Sequence, residues 1–400
     1  MSFSVPSRLK AMNFLIYTAF FSISFRHEIT SICLYIAGFL CIIEIITQKI
    51  NVFKVKNIIV CFFISYFLIE LIGMFYTENL YFGMKDLESK LLLIIGSLII
   101  IGNNKNEFNV IKSFKYYVLG ISFNIIYLFQ ESYLLHQKFH IIPRYMQFST
   151  FMHPTYFSSY LILALIIILE YKTKIIKNYL IITLLILVLT IGVFLTDSKA
   201  GIICYLLTIL FFIIRIIVNS NLKTKLLISI LTIGFSIILI KHTSNTRIVE
   251  IFNNLKTNSQ YSNYNGTYNS TETRIIIWRS TKNIIENNIF FGVGTGDIKD
   301  ALNKQFINLN FIEGENKNYN CHNQFLQFLA TFGILLSIPL ILILTKIIYR
   351  IIYLKKVFLF IILMFLILNS IFESFIETKN GLELIILYGF WYSNDVKELN

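Results

Sequence analysis

Residues 324–344 read QFLQFLATFGILLSIPLILIL, an uncharged run entered directly from the polar pair His322 and Asn323. About 20 predominantly apolar residues carry a helix across roughly 30 Å of hydrocarbon, so this run reads as a membrane span. Similar runs recur through all 400 residues, of which 56% are hydrophobic and 14% charged; soluble domains carry about 25% charged residues. Mean hydropathy is +0.68. The membrane part is therefore the protein itself, with no separate soluble domain in view.

The expected fold class is an all-α polytopic membrane protein of about twelve transmembrane helices with one long periplasmic loop. The expected spans lie near 11–25, 29–47, 57–75, 89–102, 114–134, 154–170, 178–196, 200–218, 224–241, 323–345, 357–372 and 381–393, the last short and weakest. Lys and Arg concentrate in alternate loops, among them Arg8 and Lys10, Lys49, Lys112 and Lys115, Lys172 to Lys177, Arg215, and Lys346 to Lys356. Cytoplasmic loops carry such an excess, which puts both termini inside. The outer side then holds the acidic stretch with Glu78, Asp86 and Glu88, the segment from Glu131 to His153, the Asp197 turn, residues 242–322 and the turn from Glu373 to Lys379.

This placement accounts for the formal charge of +13 without nucleic acid as a partner. Cys33, Cys41, Cys61 and Cys204 fall in apolar runs and Cys321 in a polar loop, so neither a disulfide framework nor a C-x-x-C metal pair is expected. Arg8 and Lys10 precede the first apolar run without a small-residue cleavage site, which reads as a retained first helix.

The chain thus divides into helices 1–9 over 1–241, a large periplasmic loop over 242–322, and helices 10–12 with a short cytoplasmic tail over 323–400. A connection as long as 242–322 is either functional or disordered. Residues 256–271 are rich in Asn, Ser, Thr and Tyr and are expected to be mobile. In RIIIWRSTKNIIENNIFF, residues 274–291, Ile277, Trp278, Ile284, Ile285 and Phe291 fall near helical spacing. That predicts an amphipathic helix, packed on the bundle or lying at the membrane surface. GVGTGD then breaks it, and Asp297 is placed to cap a second short helix, DIKDALNKQFI.

Several outer residues carry chemistry. Gly292, Gly294 and Gly296 form a G-x-G-x-G run with no βαβ unit around it, which excludes a dinucleotide fingerprint. Two readings stand: a tight turn needing positive φ, or bare N–H groups approaching a phosphate. Arg274 and Arg279 are five residues apart, so a helix turns them about 140° from each other. A bidentate guanidinium at Arg274 suits a diphosphate, whereas either arginine is also able to anchor the loop at headgroups. His322 stands where the long loop re-enters the membrane, as a base near neutral pH or as a helix-cap residue. His153 sits at another helix entrance ahead of Pro154 and reads as structural or substrate-positioning. Lys199 pairs with Asp197 or faces an anionic group in the same cavity as the long loop. Glu373 and Glu377, spaced i, i+4, are placed to share a helix face, and ionisable groups at membrane depth are functional candidates by default.

Four stretches in order, HPTYFSSYLILAL, LTDSKAGIICYLL, the segment from TRIIIWRSTKNIIENNIFFGVGTGD to CHNQFLQFLATFGI, and FESFIETKNG, together resemble the O-antigen ligase family of membrane glycosyltransferases. The third stretch, roughly 273–333, is the specific one, and the likeness extends over most of 150–382. The resemblance implies an inner-membrane enzyme with an outward-facing cavity under the long loop. Its donor would be a glycan on undecaprenyl diphosphate and its acceptor a hydroxyl of lipid A-core or another glycan. His322 and Arg274 match the family's loop histidine and arginine, as base and catalytic cation. Lys199, Arg279, Gly294 and Gly296 would hold the diphosphate, and His153, Asn323 and Glu373 would position substrate. Lys199 departs from the family's usual arginine, keeping charge but losing the bidentate fork. Neither a D-x-D motif nor a carboxylate cluster in the outer loops argues for a metal, so no metal and no cofactor are expected. A polymerase or a protein oligosaccharyltransferase of the same family shares donor and leaving group. A transporter, the reading from another class, usually shows inverted repeats or broken helices; no convincing repeat relates the halves.

Overall fold

A computed structural model describes residues 5–25, 27–50, 57–103, 108–219 and 270–396. The expected span 224–241, and all but the last two residues of the 256–271 stretch, lie outside the described residues. In chain order the helices are α1 (Val5–Ser22), α2 (His27–Thr47), α3 (Ile58–Gly73), α4 (Leu80–Gly102), α5 (Val110–Phe139), α6 (Pro154–Ile175), α7 (Tyr179–Leu195) and α8 (Lys199–Asn219). Then follow α9 (Ser270–Asn287), α10 (Ile298–Asn308), α11 (Ile312–Lys317), α12 (Gln324–Tyr353), α13 (Val357–Phe372) and α14 (Lys379–Asp395). Among the described residues α2, α3, α5, α6, α8 and α12 are long and apolar enough to cross a membrane, and α7 and α13 are shorter apolar helices. The chain is a multi-pass membrane protein.

Local sequence starts many of these helices in one way. Asn57, Asn79, Asn109, Asn178 and Asn323 each stand before an apolar run, and each side-chain oxygen accepts a first-turn N–H at 2.9–3.2 Å. Such a cap satisfies one of the donors that every helix start leaves unpaired. The Asn79 cap starts α4 nine residues ahead of the expected 89, so Asp86 and Glu88 lie on a helix and not in a loop.

Two helices form the centre. Every residue of α6 from Pro154 to Ile168 is buried, as an all-round apolar helix should be, and α6 packs on α5, α7, α8 and α13. The other is α14, the span weakest by hydropathy, which packs on α2, α3, α4, α5 and α13. Its low hydropathy comes from polar groups that turn inward to partners: Glu383 accepts from Ser31 Oγ at 2.6 Å, and Trp391 Nε1 donates to Ser113 Oγ at 2.9 Å.

The 274–291 helix forms as α9 and packs on α12 through Ile276, Ile277, Ile284 and Ala330. It stops at Asn287, so Phe291 leaves the predicted face and is exposed beside Ile289 and Phe290. Helix α12 is broken at Gly333, whose φ is +65°. The N–H groups of Ile334 and Leu335 donate to the carbonyls of Ile289 and Phe290, at 2.9 and 3.2 Å. In return Val293 and Gly294 donate to the carbonyls of Ala330 and Thr331, at 3.0 and 2.9 Å. The chain from 289 to 294 thus satisfies the backbone groups that the break sets free, a condition for non-helical backbone among membrane helices. A Cβ on Gly333 would sit 2.4 Å from the Phe290 carbonyl, so only glycine fits.

Candidate active site

Residues far apart in sequence converge at one end of the bundle. Glu373 ends α13 in extended backbone, with φ −143° and ψ 148°, and its carboxylate is buried. One oxygen accepts from Arg274 on α9 at 2.5 Å, and the other meets His322 Nδ1 at 3.0 Å. Burial alone would raise the Glu373 pKa, but the His322 hydrogen bond and the Arg274 charge outweigh it and hold the carboxyl below its ordinary value. Since the folded value is the lower one, this carboxylate stabilises the fold at neutral pH and stops doing so only as pH falls through that lowered value. Wild type is therefore expected to unfold at higher temperature than Glu373→Gln at pH 7, with the gap closing only below the ordinary value of 4.5. A pH series of thermal unfolding in detergent checks this, and a gap that closes above pH 4.5 overturns the pairing.

His322 takes left-handed backbone, with φ +45°. Its N–H donates to Asn320 Oδ1 at 3.0 Å, and the neighbouring Cys321 N–H to Gln327 Oε1 at 3.0 Å. The cap of α12 is Asn323, whose Oδ1 accepts from Phe325 and Leu326, at 2.9 and 3.0 Å. Asn323, expected to position substrate, thus caps α12 through its Oδ1, and it relieves His322 of capping. His153 caps α6, with Nδ1 accepting from Thr155 at 3.4 Å and Nε2 lying 3.4 Å from the Tyr145 hydroxyl. Burial pushes its pKa down, Glu373 opposes, and the nearby Arg274 charge adds to the lowering.

Lys199 opens α8, and its ammonium donates to Thr271 Oγ1 at 2.6 Å, one turn before Arg274 on α9. Arg279 is exposed on another side of α9 and does not share the Glu373 carboxylate. The glycine run packs as a turn: Gly292 and Gly294 have φ of +69° and +103°, and the three N–H groups donate to Asn288 O, Thr331 O and Thr77 Oγ1. The N–H groups of Gly294 and Gly296, expected to hold the diphosphate, thus have partners within the chain. Asp297 does not cap its helix; its oxygens accept from Glu78 and Asn79 at 2.8 and 2.7 Å and tie the 292–297 turn to the start of α4.

Glu373 and Glu377 share no helix face, because α13 ends at Phe372 and Phe375–Glu377 is a 3₁₀ turn. Glu377 instead meets Lys90 of α4 at 2.6 Å, and Lys90 also reaches Asp86 at 3.1 Å and Glu70 of α3 at 3.9 Å. Gln324 and Tyr66 bond the second Glu377 oxygen, at 3.3 and 3.4 Å. Sequence reading found no carboxylate cluster because its members come from three elements; an ammonium stands among them where a metal would otherwise be considered. The legible signal was Glu70 inside an apolar run and Lys90 at the start of another.

The two groups on Glu373 combine a histidine oriented through one ring nitrogen with a fixed cation. Residues 182–341 match the family model described as O-antigen ligase. Over that stretch the chain is similar to the O-antigen ligase family. A comparison with curated proteins gives no match. The ligase match holds Lys199, Arg274, Arg279, Gly294, Gly296, His322 and Asn323, while His153 and Glu373 lie outside it. It supports glycosyltransferase-type activity on a lipid-linked glycan and an acceptor.

Proposed function

We propose that the chain is an inverting, metal-independent membrane glycosyltransferase that moves a glycan from undecaprenyl diphosphate to a sugar hydroxyl, such as one on lipid A-core. The observation that carries this reading is the single buried carboxylate of Glu373 holding His322 and Arg274 together. A hydrogen bond from Nδ1–H to Glu373 selects the tautomer whose Nε2 accepts a proton. The acceptor oxygen attacks the anomeric carbon from the face opposite the diphosphate. As the new C–O bond forms, the bond to the diphosphate oxygen breaks and that oxygen leaves with the electron pair. The acceptor's proton passes to His322 Nε2. Arg274, with Lys199 bonded to Thr271 one turn away on α9, stabilises the charge growing on the leaving group. The diphosphate bond supplies the driving force, so no nucleotide is needed.

An apolar cavity of about 220 Å³ between α3, α12, α13 and α14 supports a lipid donor. It starts at Gln324 and Tyr66, beside the site, and continues along α12 to Ile347. In this reading the chain has twelve spans with both termini cytoplasmic, and the site faces the periplasm of a bacterial inner membrane. Deleting the gene is expected to leave polymer on the lipid carrier and remove it from the surface. Single repeats on the carrier would mark a polymerase instead, and an unchanged envelope and carrier pool would overturn the assignment.

A further inference from the structure

A second, polar cavity of about 240 Å³ lies on the other side of the first turns of α12. Its inner wall belongs to the same chain that builds the site: Asn320 and Gln327 line it, and their side-chain oxygens hold the N–H groups of His322 and Cys321. Glu377, four residues beyond Glu373, lines it as well.

Its charges are sorted. Lys85, Lys299 and Lys379 come from three separate segments and are exposed where they line the cavity. The lining carboxylates of Asp86 and Glu377 are each bonded to Lys90. The cavity therefore offers cations at its rim and hydrogen-bonding oxygens and amides deeper in, with the Phe82 ring beside them, 5.6 Å from the Lys299 ammonium. Rim ammonium groups recognise a phosphate or carboxylate substituent. Carboxylate, amide and hydroxyl groups beside an aromatic ring recognise the hydroxyls and apolar face of a sugar. The apolar cavity across α12 has no charged residue in its lining, so the two flank the start of α12 with different chemistry.

We infer that the polar cavity is the acceptor subsite and takes a sugar residue bearing an anionic substituent, held against Asn320 and Gln327, which bond the backbone of the segment that carries His322. This rests on the transferase reading above. It adds the acceptor's charge class and the residues that select it: Lys85, Lys299 and Lys379 for the anionic group, with Ser89, Gln327 and Glu377 for hydroxyls.

The test uses the purified full chain and its Lys299→Ala/Lys379→Ala double variant, with a hexose 6-phosphate, the unsubstituted hexose and inorganic phosphate as binding probes. Wild type is expected to bind the hexose phosphate about tenfold or more tighter than either fragment. The double variant should lose about tenfold or more of that affinity, on the scale of losing charge-assisted hydrogen bonds. In the transfer assay the acceptor KM should rise in parallel while the donor KM stays put, and Lys299→Arg/Lys379→Arg should restore both readouts. Inorganic phosphate binding as tightly as the hexose phosphate would mark a phosphate or headgroup site and overturn the inference. So would an acceptor KM unmoved by the double variant, or a rise in donor KM. If wild type transfers no glycan yet the lysine-dependent hexose phosphate binding persists, the transferase reading fails and the anionic-sugar site stands.

Discussion

His322→Ala is expected to lower glycan transfer by about 10²- to 10⁴-fold, the range for removing a positioned general base, with thermal unfolding close to wild type. The two halves of this expectation have separate structural grounds. The ring meets Glu373 and lies 5.6 Å from the Tyr319 ring, and its side chain, 22% exposed, lies outside both apolar core clusters. The entrance to α12 is held by Asn323, Asn320 and Gln327, none of which depends on the imidazole. Glu373 keeps Arg274 as its partner in the variant and is not stranded as an unpaired buried charge. Because the backbone at 322 is left-handed, which Asn tolerates better than Ala, His322→Asn serves as the second variant and should show the same loss. Transfer by lipid-linked substrate in proteoliposomes measures both, and wild-type turnover in either would sink the base assignment.

Lys90→Met should destabilise the fold by about 3–5 kcal/mol, the scale for removing one partner from a buried ionic group. Lys90 is wholly buried and Glu70 beside it is 1% exposed, so water does not screen the Glu70 charge left behind, although Asp86 is 31% exposed. Without the ammonium, Glu377, Asp86 and Glu70 face each other with no cation among them. The consequence reaches the site, since Glu377 is bonded to Gln324, and Gln324 Oε1 accepts the Ile376 N–H at 2.7 Å, joining α12 to the segment that follows Glu373. Thermal unfolding in detergent checks the loss. Stability in Lys90→Met equal to wild type would mean the cluster is relaxed by protonation and not by Lys90.

The difference between these two positions bears on what the sequence made legible. His322 stood out because a titratable side chain directly before an uncharged run is a local pattern. Lys90 drew no comment because its three carboxylates lie on α3, on α4 and in the turn after α13, and the Glu377 contact spans 287 positions. Arg274 was legible as a cation ahead of a tryptophan, yet its partner, Glu373, is 99 residues away. Glu373 itself was expected beside Glu377 on one helix face, and the structure separates them because α13 ends before either. The glycine run was recognised as a turn or a phosphate loop, and the choice between the two depended on which acceptors its N–H groups met, a matter of the opposing helix.

By itself the sequence determined the membrane class, the positions of most helices, their asparagine caps and the residue types in the connecting loops. These follow from hydropathy, period and the first-turn hydrogen bonds, all of which act within a few residues. The tertiary structure alone decided that Glu373 joins His322 to Arg274, that Lys90 stands among three acids, and that α12 breaks at Gly333 to meet residues 289–294. Each of these joins groups distant in the chain, and the burial of a charge or an unpaired amide becomes favourable only once packing has brought its partner.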